Sequence, residues 1–134
     1  IEHVACWEQT NGRIESGSIV LLNTGWSEKW GIPDEYLGLD HDGVSHFPGF
    51  GIDAVKYLLS DRGISGAGID THGVDPGRDN SFAVNRMMLQ QPRLVLENLT
   101  NLDQLPPTGA TVVIGLIRLQ GGSGSPVSVM AFIP

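Results

Sequence analysis

Short apolar runs, separated by glycine and proline, alternate along this chain with stretches that have no periodicity. Continuous apolar runs rich in β-branched or small residues are typical of buried strands, and three of them lie at Ile19–Leu22, 65–69 and Leu94–Leu96. Two longer runs, 111–119 and 127–133, predict the last two strands. The apolar pattern therefore predicts about five short strands.

Apolar residues recur at helical spacing in fewer places. The clearest case is 52–59, where one face of a helix would be apolar. Shorter helices are predicted at 4–9 and 82–90, and a single helical turn is predicted at 102–105. These helices are all short, which is typical of a domain built around a sheet.

The stretches 26–36 and 46–49 lack periodicity and are predicted to be ordered loops, which tend to be functional inside compact domains. A loop and a helix separate the strand at Ile19–Leu22 from the strand at 65–69. This order predicts a crossover connection and a partly parallel sheet. The sequence thus predicts an α/β fold with a mixed sheet, in one domain spanning residues 1–134.

The composition is ordinary for a folded protein, with 40% hydrophobic and 17% charged residues. The net charge is −7 and the basic residues are scattered, which argues against a nucleic-acid partner, since phosphate binding needs clustered lysine and arginine. No apolar run approaches the roughly 20 residues of a membrane span, so no membrane partner is expected. Cys6 is the only cysteine, which excludes an intrachain disulfide. A single cysteine fits the cytoplasm, although a processed secreted protein would look the same.

Glu97 follows the apolar run Leu94–Leu96 and is the first candidate for chemistry. A carboxylate in this position is costly to bury unpaired, so it should meet a metal ion, a cation or a hydrogen-bond donor. The alternative is a structural carboxylate that accepts hydrogen bonds from the backbone amides of the turn 98–101. The residues alone leave both interpretations open.

Asp70-Thr71-His72 follows the predicted small-residue strand, and ligands of open α/β sheets gather at the carboxyl ends of strands. Asp70 is therefore a candidate site residue, although aspartate at a strand end is also a common turn former. His72 can equally be a polar residue of the loop.

Three further features are interpreted as structural. Asp40-His41-Asp42 has the composition of a metal site, but neighbours in one loop seldom all face one ion, so a solvated loop is the better interpretation. His46 is expected to pack or form hydrogen bonds within the fold. The glycine-serine loop 121–125 lacks the lysine of a phosphate-binding loop and opens no helix, so it predicts a tight connection between strands.

Six ordered segments resemble the cyclase family of metal-dependent amide hydrolases, which includes bacterial kynurenine formamidase. They are Trp7-Glu8 to Gly12-Arg13-Ile14, Val20-Leu21-Leu22-Asn23-Thr24-Gly25-Trp26, His46-Phe47-Pro48-Gly49, Gly68-Ile69-Asp70-Thr71 with Val74-Asp75-Pro76-Gly77, Leu96-Glu97-Asn98-Leu99, and Gly121-Gly122-Ser123-Gly124-Ser125-Pro126-Val127. The resemblance runs essentially from end to end. It implies a swivelling β/β/α-type domain, of which this chain is the C-terminal portion, incomplete without the N-terminal portion.

The resemblance also implies an activity. Family members hydrolyse amides such as N-formylkynurenine or the cyclic amide isatin, with a divalent metal ion, zinc or manganese, that supplies a hydroxide and polarises the carbonyl while a histidine moves protons. Glu97 matches the family's glutamate ligand. Trp26, Phe47 and Asp70 are candidates to bind the substrate, since aromatic substrates need flat apolar walls. Core packing explains each aromatic residue at least as well.

Two departures from the family pattern bear on activity. The principal metal motif, His-x-Gly-Thr-His-x-Asp followed by the catalytic histidine, does not occur in this chain, so the general base is not among its residues. The family also places a histidine ligand twelve residues before the glutamate, where this chain has Asn85. A neutral amide oxygen is a poor substitute for imidazole on zinc, although it suits manganese or magnesium.

Two functions therefore remain open. The chain is part of a metal-dependent amide hydrolase whose remaining ligands lie elsewhere, or it is a cyclase-like binding or structural module that lacks the metal and has lost catalysis. In both cases we expect this chain alone to be inactive. We also expect it to associate with a second copy or with a companion N-terminal fragment through an apolar sheet edge.

Overall fold

The computed structural model describes residues Ile1–Pro134, which divide into two units, Ile1–Asp103 and Gln104–Pro134. The first unit contains a parallel sheet and the helices that cover it, and the second contains an antiparallel hairpin. No helix is both long and apolar enough to cross a membrane. The single domain over 1–134 stays a prediction.

The sheet of the first unit has three parallel strands in the order β1-β2-β3, with β1 at Ile19–Leu22, β2 at Gly66–Ile69 and β3 at Leu94–Leu96. Every residue of the central strand β2 is buried. A Cβ at Gly68 would lie 2.6 Å from Cδ2 of Leu21 and 2.8 Å from Cδ1 of Leu99, so both leucine side chains would have to shift. The predicted parallel crossover from β1 to β2 is confirmed.

Four α-helices and two 3₁₀ turns connect the strands. They are α1 (Glu2–Asn11), the 3₁₀ turn Trp26–Lys29, α2 (Pro33–Leu37), α3 (Ile52–Ser60), α4 (Ala83–Met88) and the 3₁₀ turn Leu102–Gln104. The prediction of a plain loop over 26–36 was wrong, since a 3₁₀ turn and α2 occupy most of it. Each of these elements is only four or five residues long, too short for a periodic pattern, and Pro33 at the first helical position was the only start signal.

The core of the first unit lies between the sheet, α3 and α4. Its buried hydrophobic residues are Phe50, Val55, Leu58, Ile64, Ala67, Ile69, Val74, Val84 and Met88. Val55 and Leu58 come from the apolar face predicted for 52–59, and Val84 and Met88 come from α4. The helix predictions therefore identified the elements that cover the sheet.

The second unit is a hairpin of β4 (Thr111–Leu116) and β5 (Val127–Phe132), with Val113 opposite Met130. The predicted α/β class with parallel and antiparallel pairing is confirmed, and the two kinds of pairing lie in separate sheets. β4 ends earlier than the apolar run 111–119 predicted, because residues 117–119 have no strand partner. The hairpin exposes large apolar side chains, namely Val113, Leu116, Val127, Met130 and Phe132.

Candidate functional site at the carboxyl edge of the sheet

Polar residues follow all three parallel strands at the same edge of the sheet. Thr24 lies two residues after β1, Asp70 directly after β2, and Glu97 directly after β3. Because the strands are parallel, their carboxyl ends meet at one edge, which is where ligands of open α/β sheets bind. The structure therefore brings Asp70 and Glu97 to the same part of the fold.

Asp70 is fully buried and holds the turn that follows β1. Its Oδ1 accepts hydrogen bonds from the Thr24 hydroxyl at 2.6 Å and the Thr24 amide at 3.1 Å, and its Oδ2 accepts one from the Trp26 amide at 2.8 Å. These bonds satisfy the buried charge and fix the start of the 3₁₀ turn. The role of Asp70 in substrate binding stays a prediction, and its observed contacts are within the protein.

Asp75 fixes the start of α4 in the same way. Its carboxylate is almost fully buried and accepts hydrogen bonds from the backbone amides of Val84 at 2.6 Å and Asn85 at 3.0 Å. A carboxylate at a helix N-terminus satisfies amides that have no partner within the helix. Asp75 thereby fixes the backbone of Asn85. Nothing in the sequence pattern had identified Asp75 as a site residue.

Glu97 is partly buried beside Asp75. Burial raises the pKa of the Glu97 carboxyl and the Asp75 charge raises it further, while a hydrogen bond from the Val74 amide opposes both effects. None of the ion pairs in the chain involves Glu97. A cation bound next to Glu97 would favour the charged form of its carboxyl.

The first two backbone amides of the turn after β3 do not donate hydrogen bonds to the Glu97 carboxylate. The amide of Asn98 donates to the carbonyl of Thr71 at 2.8 Å, and the amide of Leu99 donates to that of Ile69 at 3.1 Å. These two amides extend the pairing with β2 and are not available to the carboxylate. The alternative in which Glu97 accepts hydrogen bonds from the turn 98–101 therefore does not hold for Asn98 and Leu99, and the amide of Val74 donates to the carboxylate.

Four aromatic rings form a row that reaches this turn, where the Tyr36 hydroxyl donates to the side-chain oxygen of Asn98 at 2.6 Å. The ring centroids are 5.0 Å apart for Trp30 and Tyr36, 5.3 Å for Tyr36 and His72, and 3.9 Å for His72 and Phe47. Tyr36 is buried, whereas the Trp30 side chain is largely exposed. Trp30 and Tyr36 come from the segment 26–36, Phe47 comes from the segment 46–49, and His72 comes from the loop after β2.

Trp26 lies beside this aromatic row. Its indole Nε1 donates a 2.8 Å hydrogen bond to the carbonyl of Tyr36, and the Nζ of Lys29 lies 3.6 Å from the centre of its ring. The structure thus brings Trp26, Phe47 and Asp70 into one neighbourhood. Substrate binding by these three residues stays a prediction.

His72 differs from the other rings because it has an unsatisfied polar atom. Its Nδ1 is buried and has no hydrogen-bond partner in the chain, and burial lowers the pKa of the imidazole. Buried polar atoms without a partner are uncommon in folded proteins. Nothing in the sequence distinguished His72 from an ordinary loop residue, so only the packing of Tyr36 and Phe47 around it identifies it.

The Asp40-His41-Asp42 group lies on the exposed loop between α2 and α3. Its potential ligand atoms lie within 4.8 Å of one another, and the Nε2 of His41 is 3.2 Å from Oδ2 of Asp42. Asp40 accepts hydrogen bonds from the amides of Asp42 and Val44 and contacts the His46 ring at 2.7 Å. The Val44 amide, followed by His46, lowers the pKa of Asp40. The prediction that His46 forms bonds within the fold is confirmed, and these contacts support the interpretation of a structural loop.

A metal ion at the sheet edge would find an incomplete set of donors in this chain. Glu97 offers a carboxylate, and Asn85 is tied through its backbone to Asp75, which lies beside Glu97. The group 40–42 is the one cluster of three histidine or acidic residues close enough to share an ion, and it does not include Glu97. Metal binding by Glu97 and Asn85 stays a prediction, and their oxygen donors would suit manganese better than zinc.

Comparison with known proteins gives consistent matches. Residues 1–76 match the family model described as "Putative cyclase". The isatin hydrolase of Roseibium aggregatum is 32% identical over 135 aligned positions, which cover 98% of this chain and 51% of that protein.

Solved structures give the same result. Isatin hydrolase A from Ralstonia solanacearum matches with a TM-score of 0.94 and 36% identity, over 100% of this chain and 52% of that one. Isatin hydrolase A from Labrenzia aggregata, bound to benzyl benzoate, matches with a TM-score of 0.87 and 33% identity, over 98% of this chain and 52% of that one. The chain therefore spans about half the length of these relatives.

Proposed function

Because this chain belongs to the cyclase family, we propose that it forms part of a metal-dependent hydrolase that cleaves the amide bond of an aromatic, isatin-like substrate. The observation that favours this function is the position of Glu97, a partly buried carboxylate without a cation, beside Asp75 at the carboxyl edge of the sheet. The similarity to isatin hydrolases over 98–100% of the chain supports a cyclic amide as the substrate class.

Each side chain at the edge has a distinct part in this proposal. Glu97 and the amide oxygen of Asn85 would help to hold a divalent ion, and the remaining ligands would come from another part of the protein. When bound, the ion would supply a nucleophilic hydroxide and polarise the substrate carbonyl. Water adds to that carbonyl, the C–N bond breaks, and the nitrogen takes up a proton.

The aromatic row and Trp26 would bind the flat substrate. Trp30 is exposed and Phe47 is only partly buried, so these two rings would offer flat faces to the substrate. The buried Tyr36 contacts Trp30 and bonds to Asn98. Asp70 would act indirectly, since its hydrogen bonds fix the backbone of Trp26. The general base is not among these residues.

Metal content and hydrolysis, measured together, test the proposal. The protein is purified with any companion chain, its bound metal is determined by mass spectrometry, and isatin ring opening is followed by absorbance. We expect bound manganese or zinc and hydrolysis in the wild type, and a loss of both in Glu97→Gln, which keeps the shape and removes the charge. Glu15→Gln, on an exposed loop, is the matched control and should resemble the wild type.

A binding or structural module is the second candidate, and Asn85 favours it. A neutral amide where the family has a histidine ligand would weaken a zinc site. In this case the wild type holds no metal and leaves isatin intact, whereas Asn85→His raises the affinity for zinc. Metal bound by the wild type and, at the same level, by Glu97→Gln would contradict Glu97 as a ligand in the first function.

We also propose that the protein functions as an assembly. The exposed apolar side chains of the hairpin, including Leu116, Met130 and Phe132, are the kind of surface that a second copy or a companion segment covers. A two-stranded hairpin alone is only marginally stable, so such a cover would stabilise it. Light scattering after gel filtration should give a mass above that of one chain, and a stable monomer would contradict this proposal.

A further inference from the structure

The His72 ring occupies the middle of the aromatic row but forms no hydrogen bond with it. Its neighbours are the rings of Tyr36 and Phe47, which approach its centre to 5.3 and 3.9 Å. Aromatic neighbours fix the plane of the imidazole without satisfying its nitrogens. Within this chain, no polar group bonds to the buried nitrogen of the ring.

The two nitrogens of His72 have different surroundings. Nδ1 is fully enclosed and unpartnered, whereas Nε2 is not enclosed. A neutral imidazole has one N–H donor and one lone pair. A buried N–H without an acceptor is rarer in proteins than an under-satisfied acceptor, so the proton belongs on Nε2 and the lone pair on Nδ1. The lowered pKa of the ring, caused by burial, favours the neutral form.

We propose that His72 is a substrate-binding residue that donates its Nε2–H as a hydrogen bond to the carbonyl oxygen of an aromatic amide. This inference rests on the proposed function and adds the group that recognises the oxygen of the scissile amide. Tyr36 donates its hydroxyl to Asn98, which directly follows Glu97, so the ring that contacts His72 also contacts the Glu97 turn. His72 thus belongs to the edge of the sheet where the amide would lie.

A neutral donor suits the chemistry at this position. When water adds to the amide carbonyl, the oxygen gains negative charge, and a fixed N–H stabilises that charge without giving up its proton. No carboxylate or carbonyl contacts Nδ1, so the ring has no group that would raise its basicity. His72 is therefore suited to hold the carbonyl oxygen and unsuited to abstract a proton from water.

Two substitutions of His72 distinguish the effect of its N–H donor from the effect of its ring shape. His72→Gln keeps an N–H donor at about the place of Nε2, whereas His72→Phe keeps a ring and has no donor. We expect kcat/KM for isatin to fall by at least about 10-fold in His72→Phe and to be partly restored in His72→Gln. His3→Gln, on the exposed helix α1, is the control and should resemble the wild type.

Stability measurements on His72→Phe distinguish a role in binding from a role in the fold. Without ligand, His72→Phe removes an unsatisfied buried nitrogen, so its unfolding temperature should equal or exceed that of the wild type. A fall in both stability and kcat/KM would indicate instead that the ring nitrogen serves the fold, through a bound water, and would overturn the inference. Equal kcat/KM in His72→Phe and the wild type would overturn it as well.

A spectroscopic measurement on the wild type is independent of activity. Nitrogen-15 NMR of labelled histidine distinguishes the two tautomers, and we expect His72 to be neutral at pH 7 with its proton on Nε2. A proton on Nδ1, or a charged ring, would overturn the inference even if isatin is hydrolysed. If isatin is neither bound nor hydrolysed by the wild type, the proposed function and substrate-binding by His72 both fail. The NMR measurement would still show which nitrogen of His72 carries the proton.

Discussion

Tyr36 and Asn98 lie 62 residues apart in sequence and are joined by a 2.6 Å hydrogen bond from the tyrosine hydroxyl to the Asn98 side-chain oxygen. Asn98 adopts a left-handed backbone conformation, with φ of 57°, in the turn directly after Glu97. Asparagine tolerates this conformation better than most residues, and the bond to Tyr36 holds it in place. A residue of α2 is thus tied to the turn that directly follows Glu97.

Tyr36→Phe is expected to affect ligand binding more than stability. It removes one hydrogen bond and leaves the Asn98 oxygen to water, so the free energy of unfolding should fall by only about 1 kcal/mol. Metal affinity or isatin hydrolysis should fall more clearly, because the turn beside Glu97 loses its anchor. Tyr57→Phe is the matched control, since Tyr57 bonds to Glu8 between α1 and α3, away from the sheet edge. Equal activity in both variants would show that Tyr36 does not position Glu97.

Asp70→Asn is expected to destabilise the fold. One carboxylate oxygen becomes an amino group that faces the backbone amides of Thr24 and Trp26, so two N–H groups oppose each other without an acceptor. The free energy of unfolding in urea should fall by about 2 to 4 kcal/mol. Asp53→Asn removes only an exposed pair with Lys56 and should change it by less than about 0.5 kcal/mol. If Asp70→Asn were as stable as this control, the Asp70 bonds would not hold the turn.

Gly49→Ala tests the close approach between the Phe47 loop and Asp75. A Cβ at Gly49 would lie 2.3 Å from the backbone nitrogen of Pro76 and 2.4 Å from the carbonyl carbon of Asp75, so the loop has to move. We expect a loss of roughly 1 to 3 kcal/mol or more in thermal or urea unfolding. At Gly51, two residues on, a Cβ meets nothing within 4 Å, and Gly51→Ala should change stability by less than about 1 kcal/mol. Equal effects would mean that the approach at Gly49 is not tight in solution.

The raised pKa of Glu97 predicts a pH dependence in the metal-free protein. A carboxyl whose pKa is raised in the folded state contributes stability that is present below its ordinary pKa of 4.5 and is lost as the pH rises through the folded value. Metal-free Glu97→Gln should therefore unfold at a higher temperature than the wild type at pH 7. The difference should vanish below pH 4.5, where both side chains are neutral.

With divalent metal bound, the wild type should unfold at a higher temperature than Glu97→Gln. Bound manganese stabilises only a folded state that holds it, so excess manganese should raise the unfolding temperature of the wild type and not that of Glu97→Gln. A constant difference between the two proteins from pH 4 to 7, without metal, would contradict the burial of Glu97 beside Asp75.

The sequence predicted the strands well because each is a continuous apolar run bounded by glycine, proline or a polar residue. β1 at Ile19–Leu22 and β3 at Leu94–Leu96 lie where the pattern predicted, and α3 lies within one residue of the predicted 52–59. The short elements between 26 and 37 were missed, because one turn of helix gives no periodic signal. The ordered motifs that resemble the cyclase family were also visible without any structure.

The composition of the candidate site could be predicted only in part. Glu97, Asp70, Trp26 and Phe47 were each identified from strand ends or motifs. Parallel strands align their carboxyl ends, which explains why Trp26, Asp70 and Glu97 follow the same edge of the sheet. Phe47 comes from the loop between α2 and α3 and reaches this edge through its contact with His72. Sequence order alone could not show that the Asp70 carboxylate is already used by the turn after β1.

By itself, the sequence determined the α/β class, the parallel crossover and the family, since these depend on local apolar patterns and on motifs in a fixed order. Only the tertiary structure decided that Asp75 fixes the start of α4 and acts on Glu97, and that His72 has an unpartnered nitrogen between Tyr36 and Phe47. The physical reason is distance along the chain. Hydrogen bonds, burial and charge act between groups that are close in space, and the sequence lists these groups tens of residues apart.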